Sequence, residues 1–591
     1  MKVLLVHPED YPGTGAWARQ QWDLIVDLAF AGPSIYEEWS RQCGSRVISL
    51  HHFAGQTESY RWIGETLEQG RGKLLDRFGL DWWELLSVFA FHEMHGFYLV
   101  RRLRTEIGVA NLELAGTRPH VYSELLSEML GLRVKYFERP RTGLGVQVSR
   151  KLRAFRTFHF PQLMEFALDK WDGDYRLRRH FSQRCRAKLK QGAVLLPSAY
   201  SNVTRTVLEY AKLFPDRRFL LATTRRSASA AALPENVSCV PLGAYAVSSK
   251  ATDDETTQMR SAWESFCEST LRTSQELHTM ARAGFWRSVP SWLRIGLRAR
   301  DAWQQILDCE PIEAVLCGDD LNVMTRLPLV LANRAGLGAI QTHHGALDGG
   351  FLFKKPYAKV HLVKGEMERD YLQGTGSVNP RSIRVGSAVR PMQPPGRGSD
   401  GDLVFFSQPS EVDGGRMLEI YRELLPRLCS VADTLRRNVI VKLHPFESRK
   451  DRQRMVDCVL TERERALVTI STAPANEVID RTWAGIGLDS TVAIECAQKR
   501  VPYFLCGWLD FTGIGYLRQF VKYGVGILLE RPADIMSIPE LVASYEPDPR
   551  VLESLAYFPG AADLEAALFG TDRDVGLRTQ GEKLFVKAGC E

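Results

Sequence analysis

Several signatures of common enzyme folds are absent from this 591-residue sequence. No GxGxxG motif follows the first predicted strand and no GxxxxGKS/T motif occurs, so the usual marks of the dinucleotide-binding fold and of the P-loop are missing. A GxSxG motif is also absent, which removes the usual support for an α/β-hydrolase. Function must therefore be sought in less familiar motifs.

Cysteine pairs and strong net charge are lacking as well. The eleven cysteines are scattered, with no CxxC pair and no Cys/His cluster, so neither a zinc site nor a disulfide framework is predicted. A reducing cytoplasm is the compartment that fits this usage. The net charge of +6 is small for the length and gives no argument for nucleic acid as a partner.

Long apolar runs are the third absence. No window reaches about eighteen uninterrupted apolar residues, the length that indicates a membrane span. The amino-terminal MKVLLVHPEDYPG has a short apolar run before charge and proline, which predicts a first β-strand rather than a signal peptide. The sequence therefore predicts a cytoplasmic protein.

Short apolar strands alternate with helical stretches along most of the chain, which indicates parallel sheets of the α/β class. KVLLV and RVISLHHF are predicted strands, and residues 16–30 and 82–107 are predicted helices. The length suits two or three domains.

A proline- and glycine-rich stretch, MQPPGRGSDGD, marks the clearest domain boundary. We expect an α/β region over residues 1–391, a linker over 392–401, a second α/β domain over 402–560 and a tail over 561–591. Two helical insertions are predicted in the first region, a basic and aromatic one at about 150–191 and a second at about 255–308.

Polar residues follow three predicted strands of the second domain, and the carboxyl ends of parallel strands are where open α/β sheets bind ligands. The clearest candidate for a ligand site is the stretch NVIVKLHPFE, because an apolar strand ends there in a lysine, a histidine and a proline. The candidate residues at the three ends are Ser407 and Gln408, then Lys442, His444 and Pro445, then Asp489, Ser490 and Thr491.

These residue types suit a phosphate. Ser490 and Thr491 at a predicted helix start offer hydroxyls and free amides beside the positive end of the helix dipole. Lys442 and His444 can donate to a phosphate oxygen, and Glu495 faces the same way as Thr491 and can accept from ribose hydroxyls. The alternative reading is an ordinary helix cap and a structural histidine.

The same residues resemble a known family. His444 and Pro445 match the HP motif, and Ser490 and Thr491 the later Ser/Thr motif, with which bacterial sialyl-, polysialyl- and Kdo-transferases of the GT-B fold hold a CMP donor. HHGALDGG, VKGEMERDYL and IRVGSA are similar to a motif series of the CDP-glycerol polymerases and capsule enzymes. The resemblance covers about residues 313–529 and implies two Rossmann-like domains facing a cleft.

In the sialyltransferases an acidic motif ending in glycine supplies the general base. CGDDLN is the nearest match, giving Asp319 and Asp320, but no glycine follows, and both acids can instead cap the helix that follows. Competing candidates are His343 and His344 at the next strand end, and the group His7, Glu9 and Asp10 after the first strand. His444 is a further catalytic candidate.

The sequence thus predicts a metal-independent and cofactor-free glycosyltransferase that moves a nonulosonic or Kdo-type sugar from CMP to a surface glycan or a lipid-linked acceptor. CMP is favoured over UDP because Lys442 is the only lysine close to His444 on its strand. The alternatives are a UDP-sugar 2-epimerase or hydrolase, and a non-catalytic assembly protein. The basic and aromatic residues 285–303 suggest peripheral contact with an anionic inner membrane, or an ordinary packed helix.

Overall fold

The structure of the protein, a computed structural model, describes residues 1–53, 56–87, 91–108, 111–137, 186–225, 228, 232–246, 250–282, 285–343, 355–376, 378–385, 401–445, 447–488, 490–510, 516–546 and 565. The predicted α/β class is confirmed, because the described strands form three sheets whose paired neighbours all run parallel. Parallel sheets are covered on both faces, which is why their strands are continuous apolar runs.

The first sheet has five strands in the order β3-β2-β1-β4-β5. Its strands are β1 (Lys2–Val6), β2 (Leu24–Asp27), β3 (Arg46–Ser49), β4 (Glu113–Gly116) and β5 (Lys135–Tyr136). Its helices are α1 (Pro33–Cys43), α2 (Gln56–Glu68), α3 (Trp82–Ser87), α4 (Phe91–Ile107) and α5 (Val121–Leu130).

The second sheet has seven strands in the order β12-β11-β10-β9-β6-β7-β8. Its strands are β6 (Ala193–Ser198), β7 (Arg218–Thr223), β8 (Val237–Pro241), β9 (Ile312–Cys317), β10 (Gly338–Gln341), β11 (Val360–Val363) and β12 (Ile383–Val385). The helices are α6 (Ser201–Lys212), α7 (Lys250–Phe266), α8 (Gln275–Arg282), α9 (Val289–Cys309), α10 (Val323–Arg334) and α11 (Glu366–Thr375).

The third sheet has six strands in the order β15-β14-β13-β16-β17-β18. Its strands are β13 (Asp402–Phe406), β14 (Val439–Lys442), β15 (Val468–Ser471), β16 (Thr482–Gly487), β17 (Tyr503–Cys506) and β18 (Ile527–Leu529). The helices are α12 (Met417–Leu435), α13 (Arg449–Val459), α14 (Glu462–Arg465), α15 (Ala475–Ile479), α16 (Val492–Gln498), α17 (Tyr516–Lys522) and α18 (Ile538–Ala543).

Each sheet reverses its strand order beside its own first strand. The reversals lie between β1 and β4, between β6 and β9, and between β13 and β16. At such a point the connections leave toward opposite faces of the sheet, which opens a crevice at the carboxyl ends of the two strands. The protein therefore has three positions at which a doubly wound sheet binds a ligand.

One sequence expectation needs correction. The predicted helix over 16–30 is wrong, because Leu24–Asp27 is the fully buried strand β2 and only Ala16–Arg19 is helical, as one 3-10 turn. The predicted helix over 82–107 is helical in its described parts, α3 and α4, and residues 88–90 between them lie outside the described residues. The region before the predicted linker holds two of the three sheets. Residues 392–400, residues 150–185 and the tail apart from Glu565 lie outside the described residues.

Each sheet and the helices given with it form one unit, and buried contacts pack the three units together. One apolar core joins helices of the first unit to helices of the second, with Trp83 packed against Phe266 at a ring separation of 4.9 Å. The first and third units meet where Arg416 donates to Asp27 at 2.6 and 2.8 Å. A Cβ at Gly32 would lie 1.0 Å from Oε2 of Glu423, so a larger residue there would displace the carboxylate that accepts from the Ser34 amide.

The basic and aromatic segment 285–303 forms a 3-10 turn and most of α9. Trp286, Leu293 and Leu297 are buried in the core, whereas Trp292 is 38% exposed. Most of the apolar residues are therefore already packed, and peripheral membrane contact stays a prediction that rests on Trp292 and the neighbouring arginines. None of the helices in the described ranges has the length and apolar character needed to cross a bilayer.

Candidate active site

The carboxyl edge of the third sheet collects the residues predicted to bind the donor. Ser407 follows β13 and Ser490 follows β16, so they flank the reversal of strand order. Lys442 ends β14, and His444 comes two residues later at the same edge. The structure thus brings these side chains to one edge of one sheet. Asp489 and His344, which the sequence also predicted, lie outside the described residues.

Glu447, which the sequence analysis did not single out, organises this edge. Its side chain is fully buried and accepts hydrogen bonds from the Ser407 hydroxyl, the His444 backbone amide and Nε of Arg452, each at 2.7 Å. One carboxylate therefore ties the loop after β13 to the loop after β14. The only available sequence signal was an acid three residues after His444.

Arg452 connects Glu447 to a second acid, Glu411, in the loop that follows β13. Its guanidinium binds both carboxylate oxygens of Glu411, at 2.6 and 2.9 Å. The Ser407 hydroxyl also lies 2.9 Å from the hydroxyl of Tyr421, and Ser407 is only 4% exposed. Ser407 is thus occupied with supporting the loop, whereas its neighbour Gln408 is half-buried.

Lys442 and His444 occupy the end of β14 as a pair of adjacent basic groups. Burial lowers the pKa of Lys442, although Glu447 and Glu495 act in the opposite direction, and its Nζ donates to the Leu443 carbonyl. Burial and the charge of Lys442 lower the pKa of His444 below its ordinary value. This shift favours the neutral form of His444, which can donate one hydrogen bond to an anion.

Ser490 and Thr491 precede α16, as expected. The amide of Val492 donates to the Ser490 hydroxyl at a long 3.4 Å, and the Thr491 side chain makes no capping bond. Glu495 lies on the same helix and is exposed, yet protein atoms surround its carboxylate closely enough that desolvation raises its pKa. Glu495 thus marks a partly enclosed part of the surface, which we call the recess.

The cations around Glu495 show what the recess faces. Arg205, Lys364, Lys499 and Lys442, in decreasing order of effect, each act to lower the pKa of Glu495. Arg205 lies on α6 and Lys364 follows β11, so both belong to the second sheet. Val363, at the end of β11, shares one apolar cluster with Ala493 and Ile494 of α16, so the carboxyl edges of the second and third sheets meet beside Glu495.

The predicted bases Asp319 and Asp320 follow β9 at the carboxyl edge of the second sheet, where they are 9% and 2% exposed. Oδ1 of Asp319 accepts from the Leu321 amide at 3.0 Å, and Asp320 accepts from the Gln341 side chain. Asn322, rather than either acid, caps α10 through the Met324 amide. Both carboxylates have local partners, as a structural role requires.

His343, one of the competing bases, is paired with a buried carboxylate. Its Nε2 lies 2.8 Å from Oε2 of Glu368, which also accepts from the Lys364 amide at 2.6 Å. Burial acts to raise the pKa of Glu368, but His343 and Lys364 outweigh it and the pKa lies below its ordinary value. This pair lies directly beside one of the cations that face Glu495.

The third candidate group lies at the carboxyl edge of the first sheet. Arg118 pairs with Glu9 at 3.2 Å and with Asp10 at 2.6 Å, and the His7 amide donates to the Thr117 hydroxyl at 2.9 Å. Arg416 of the third unit donates to the Asp10 carbonyl at 2.8 Å. This group therefore lies against the loop that follows β13.

Within the described ranges, no group of three or more His, Cys, Asp or Glu side chains is arranged to hold a metal ion. The positive charge at the recess comes instead from lysine and arginine side chains. Such side chains neutralise phosphate charge by direct hydrogen bonds and ion pairs.

No family model and no curated protein matches the chain. Among solved structures it is similar to the UDP-GlcNAc 2-epimerase from Methanocaldococcus jannaschii, at 10% identity over 63% of this chain and 98% of that chain, with a TM-score of 0.37. It is also similar to the calicheamicin glycosyltransferase CalG4, at 14% identity over 64% and 99%, with a TM-score of 0.38. A variant of the wall teichoic acid polymerase TagF matches at 9% identity over 69% and 97%, with a TM-score of 0.36. At these values the likeness assigns neither a family nor an activity.

Proposed function

We propose that this protein is a glycosyltransferase that takes a sugar from a nucleotide donor and attaches it to a glycan. The observation that carries the proposal is the meeting of two carboxyl edges at one recess. In the proposal, Lys442, His444 and Ser490 line the recess from the third sheet, and Arg205 and Lys364 of the second sheet, which interact with Glu495, face them. This arrangement suits a ligand with a phosphate between a nucleoside and a second group.

In the proposed reaction, Ser490, Thr491 and His444 bind the donor phosphate beside Lys442, and Glu495 accepts from the ribose hydroxyls. As the bond to the sugar breaks, negative charge grows on the phosphate oxygen, and the positioned donors and cations stabilise it. Glu447 keeps the His444 backbone in place for this contact. Because side chains carry the positive charge, the proposal is metal-independent.

The acceptor hydroxyl needs a general base. Asp319 and Asp320 remain the proposed bases from the sequence motif, with His343 and His344 as the competing pair. His343 already shares a short contact with Glu368, which holds it beside the recess. His7, Glu9 and Asp10 are the less favoured group, because Arg118 neutralises the two acids.

The finer part of the proposal concerns the donor and the acceptor. The motif match at His444, Pro445, Ser490 and Thr491 supports a nonulosonic or Kdo-type sugar carried by CMP, and a surface glycan or lipid-linked acceptor. A UDP-sugar 2-epimerase or hydrolase is the second candidate. The observation that favours it is the additional positive charge of Arg205 and Lys364, which suits a diphosphate.

Sugar transfer from radiolabelled nucleotide sugars to a glycan extract tests the proposal. His444→Ala, and separately the double change Ser490→Ala with Thr491→Ala, should lower kcat/KM roughly a hundredfold or more, because one positioned donor to a growing anion contributes about 3–4 kcal/mol. His52→Ala, at an exposed histidine of the first unit, is the control. Near-normal transfer by both variants would show that the donor site is elsewhere.

A further inference from the structure

Arg416 is a buried arginine of the third unit that reaches the carboxyl edge of the first sheet. Its guanidinium donates to both carboxylate oxygens of Asp27, at 2.8 and 2.6 Å. It also donates to the backbone carbonyls of Pro8 and Asp10, each at 2.8 Å. Asp27 ends β2 and is fully buried, and the two carbonyls belong to the loop after β1. The third unit therefore places one of its own side chains at strand ends where a doubly wound sheet ordinarily binds a ligand.

Backbone hydrogen bonds join the same two units beside this ion pair. The Phe30 amide donates to the Gly414 carbonyl at 2.9 Å, and the Arg416 amide donates to the Phe30 carbonyl at 2.6 Å. Phe30 and Gly415 thereby form a parallel bridge. Gly414 has a φ of +91°, a left-handed conformation that glycine adopts without strain. The first unit thus fixes both the backbone and a side chain at the end of the loop after β13, residues 407–416.

The loop after β13 connects this contact to the candidate donor site. The Gly415 amide donates to the Ser410 carbonyl at 2.7 Å, which closes the loop on itself. The next residue, Glu411, binds Arg452 through both carboxylate oxygens, at 2.6 and 2.9 Å. Arg452 in turn donates to Glu447 at 2.7 Å. A continuous series of short hydrogen bonds and ion pairs therefore joins the first unit to Glu447.

We infer that Arg416 and Asp27 are positioning residues of the donor site. They hold the loop after β13 from the first unit, and Glu447, which this loop supports, holds the backbone amide of His444. Both act through the loop rather than by touching the nucleotide. The inference rests on the proposed function, because it is the nucleotide that uses the position of His444.

The contact with the first unit matters because the loop after β13 has little regular structure of its own. Its one helical element is the 3-10 turn Ser410–Asp413. A site that is correctly formed in only a fraction of the molecules binds its ligand more weakly by that fraction. Loss of the pair between Arg416 and Asp27 should therefore weaken nucleotide binding and leave kcat, measured at saturating donor, nearly unchanged.

Hydrogen–deuterium exchange resolved to single amides tests the inference on the full chain without any ligand. The Leu403 amide, which donates to the Asn438 carbonyl at 3.0 Å at the start of β13, is the reference for general loosening of the third unit. In Asp27→Asn, which keeps the size of the side chain and removes its charge, the exchange rate of the His444 amide should rise about tenfold or more relative to that of Leu403.

Glu423→Gln is the matched control for the interface. Glu423 also joins the two units, since its carboxylate accepts from the Ser34 amide at 3.3 Å, but it lies on α12 rather than in the loop. In this variant the ratio of the His444 and Leu403 exchange rates should stay within about twofold of wild type. An equal rise of the ratio in the control would show that any damage to the interface has this effect, and it would overturn the inference.

Calorimetric titration with CMP, CDP and UDP, each with EDTA, tests the consequence for the donor site. The nucleotide that wild type binds should bind Asp27→Asn about tenfold or more weakly, and it should bind Glu423→Gln within about twofold of wild type. In the transfer assay, the KM of Asp27→Asn for the donor should rise by a similar factor while kcat stays within about twofold.

The two measurements separate failure of the inference from failure of the proposed function. An unchanged exchange ratio in Asp27→Asn, or a nucleotide affinity equal to that of wild type, overturns the inference and leaves the proposed function standing. A wild type that binds none of the three nucleotides contradicts the proposed function, whereas the exchange ratio still decides whether Asp27 holds the His444 backbone. If Asp27→Asn does not fold, Arg416→Lys provides the comparison, because lysine keeps the charge but lacks the planar fork of donors.

Discussion

Replacing Glu447 by glutamine should destabilise the third unit strongly, although the change removes only a charge. The carboxylate is fully buried and accepts from Ser407, His444 and Arg452, each at 2.7 Å. Glutamine has nearly the same shape but only one acceptor oxygen. Its NH₂ group takes the place of the second carboxylate oxygen, where it faces other donors and cannot accept from them. Arg452 then remains buried with only Glu411 as an ionic partner.

The expected loss follows from these contacts. Hydrogen bonds to a charged group contribute about 1.5–3 kcal/mol each, and breaking a buried ion pair by changing one partner costs about 3–5 kcal/mol. Since Glu411 still holds Arg452, we expect a loss of about 3–5 kcal/mol rather than the sum of all three contacts. In a unit of this size that corresponds to a fall of roughly 10 °C in its Tm.

Urea unfolding followed by tryptophan fluorescence measures the effect, with Trp483 and Trp508 as reporters in the third unit. Glu477→Gln is the matched control, since Glu477 is exposed on the same unit, and its change should stay within about 0.5 kcal/mol. A Glu447→Gln protein as stable as this control would refute the view that Glu447 holds the edge of the sheet together.

Two other predictions follow, one from the site and one from His51, whose ring lies beside Gly414 at the contact of the first and third units. Asp319→Asn or Asp320→Asn should lower kcat with little change in donor affinity if the acid is the base, and full rates in both would move the assignment to His343 or His344. Burial, and next His95, lower the pKa of His51 from 6.5 to about 3. On acidification the unfolded state therefore binds this proton before the folded state does. The contribution of His51 to the free energy of unfolding is fully present above about pH 6.5, and it falls by at most about 1.4 kcal/mol per pH unit as the pH drops toward 3. In acid unfolding, His51→Gln should reduce that slope relative to a His52→Gln control, and identical slopes would contradict the prediction.

The sequence predicted the α/β class because parallel strands that are buried on both faces appear in it as continuous apolar runs. KVLLV and DLVFF are such runs, and both are strands of the structure. β2 was missed because its apolar run is only three residues long and is followed, after Asp27, by four more apolar residues with no glycine or proline between the two runs. Periodicity alone does not distinguish these two cases in so short a segment.

The candidate site was predictable only where its residues lie at the ends of strands. Lys442, His444 and Ser490 could be placed at one edge because parallel strands share the direction of their carboxyl ends. Arg205 and Lys364 could not, since their approach to Glu495 depends on how the second and third sheets pack. No local pattern in the sequence encodes that packing.

Nucleotide binding in the presence of a chelator tests the central claim most directly. A thermal shift measured with CMP, CDP, UMP, UDP and GDP, each with EDTA, reports whether the recess holds a nucleotide without metal. A ligand at about a hundred times its Kd adds about 2.7 kcal/mol to the native state, which raises Tm by a few degrees. The account predicts such a rise with CMP or CDP, and a rise with UDP alone would favour a UDP-sugar enzyme. No rise with any of the five would contradict a nucleotide-sugar site and favour a non-catalytic assembly protein.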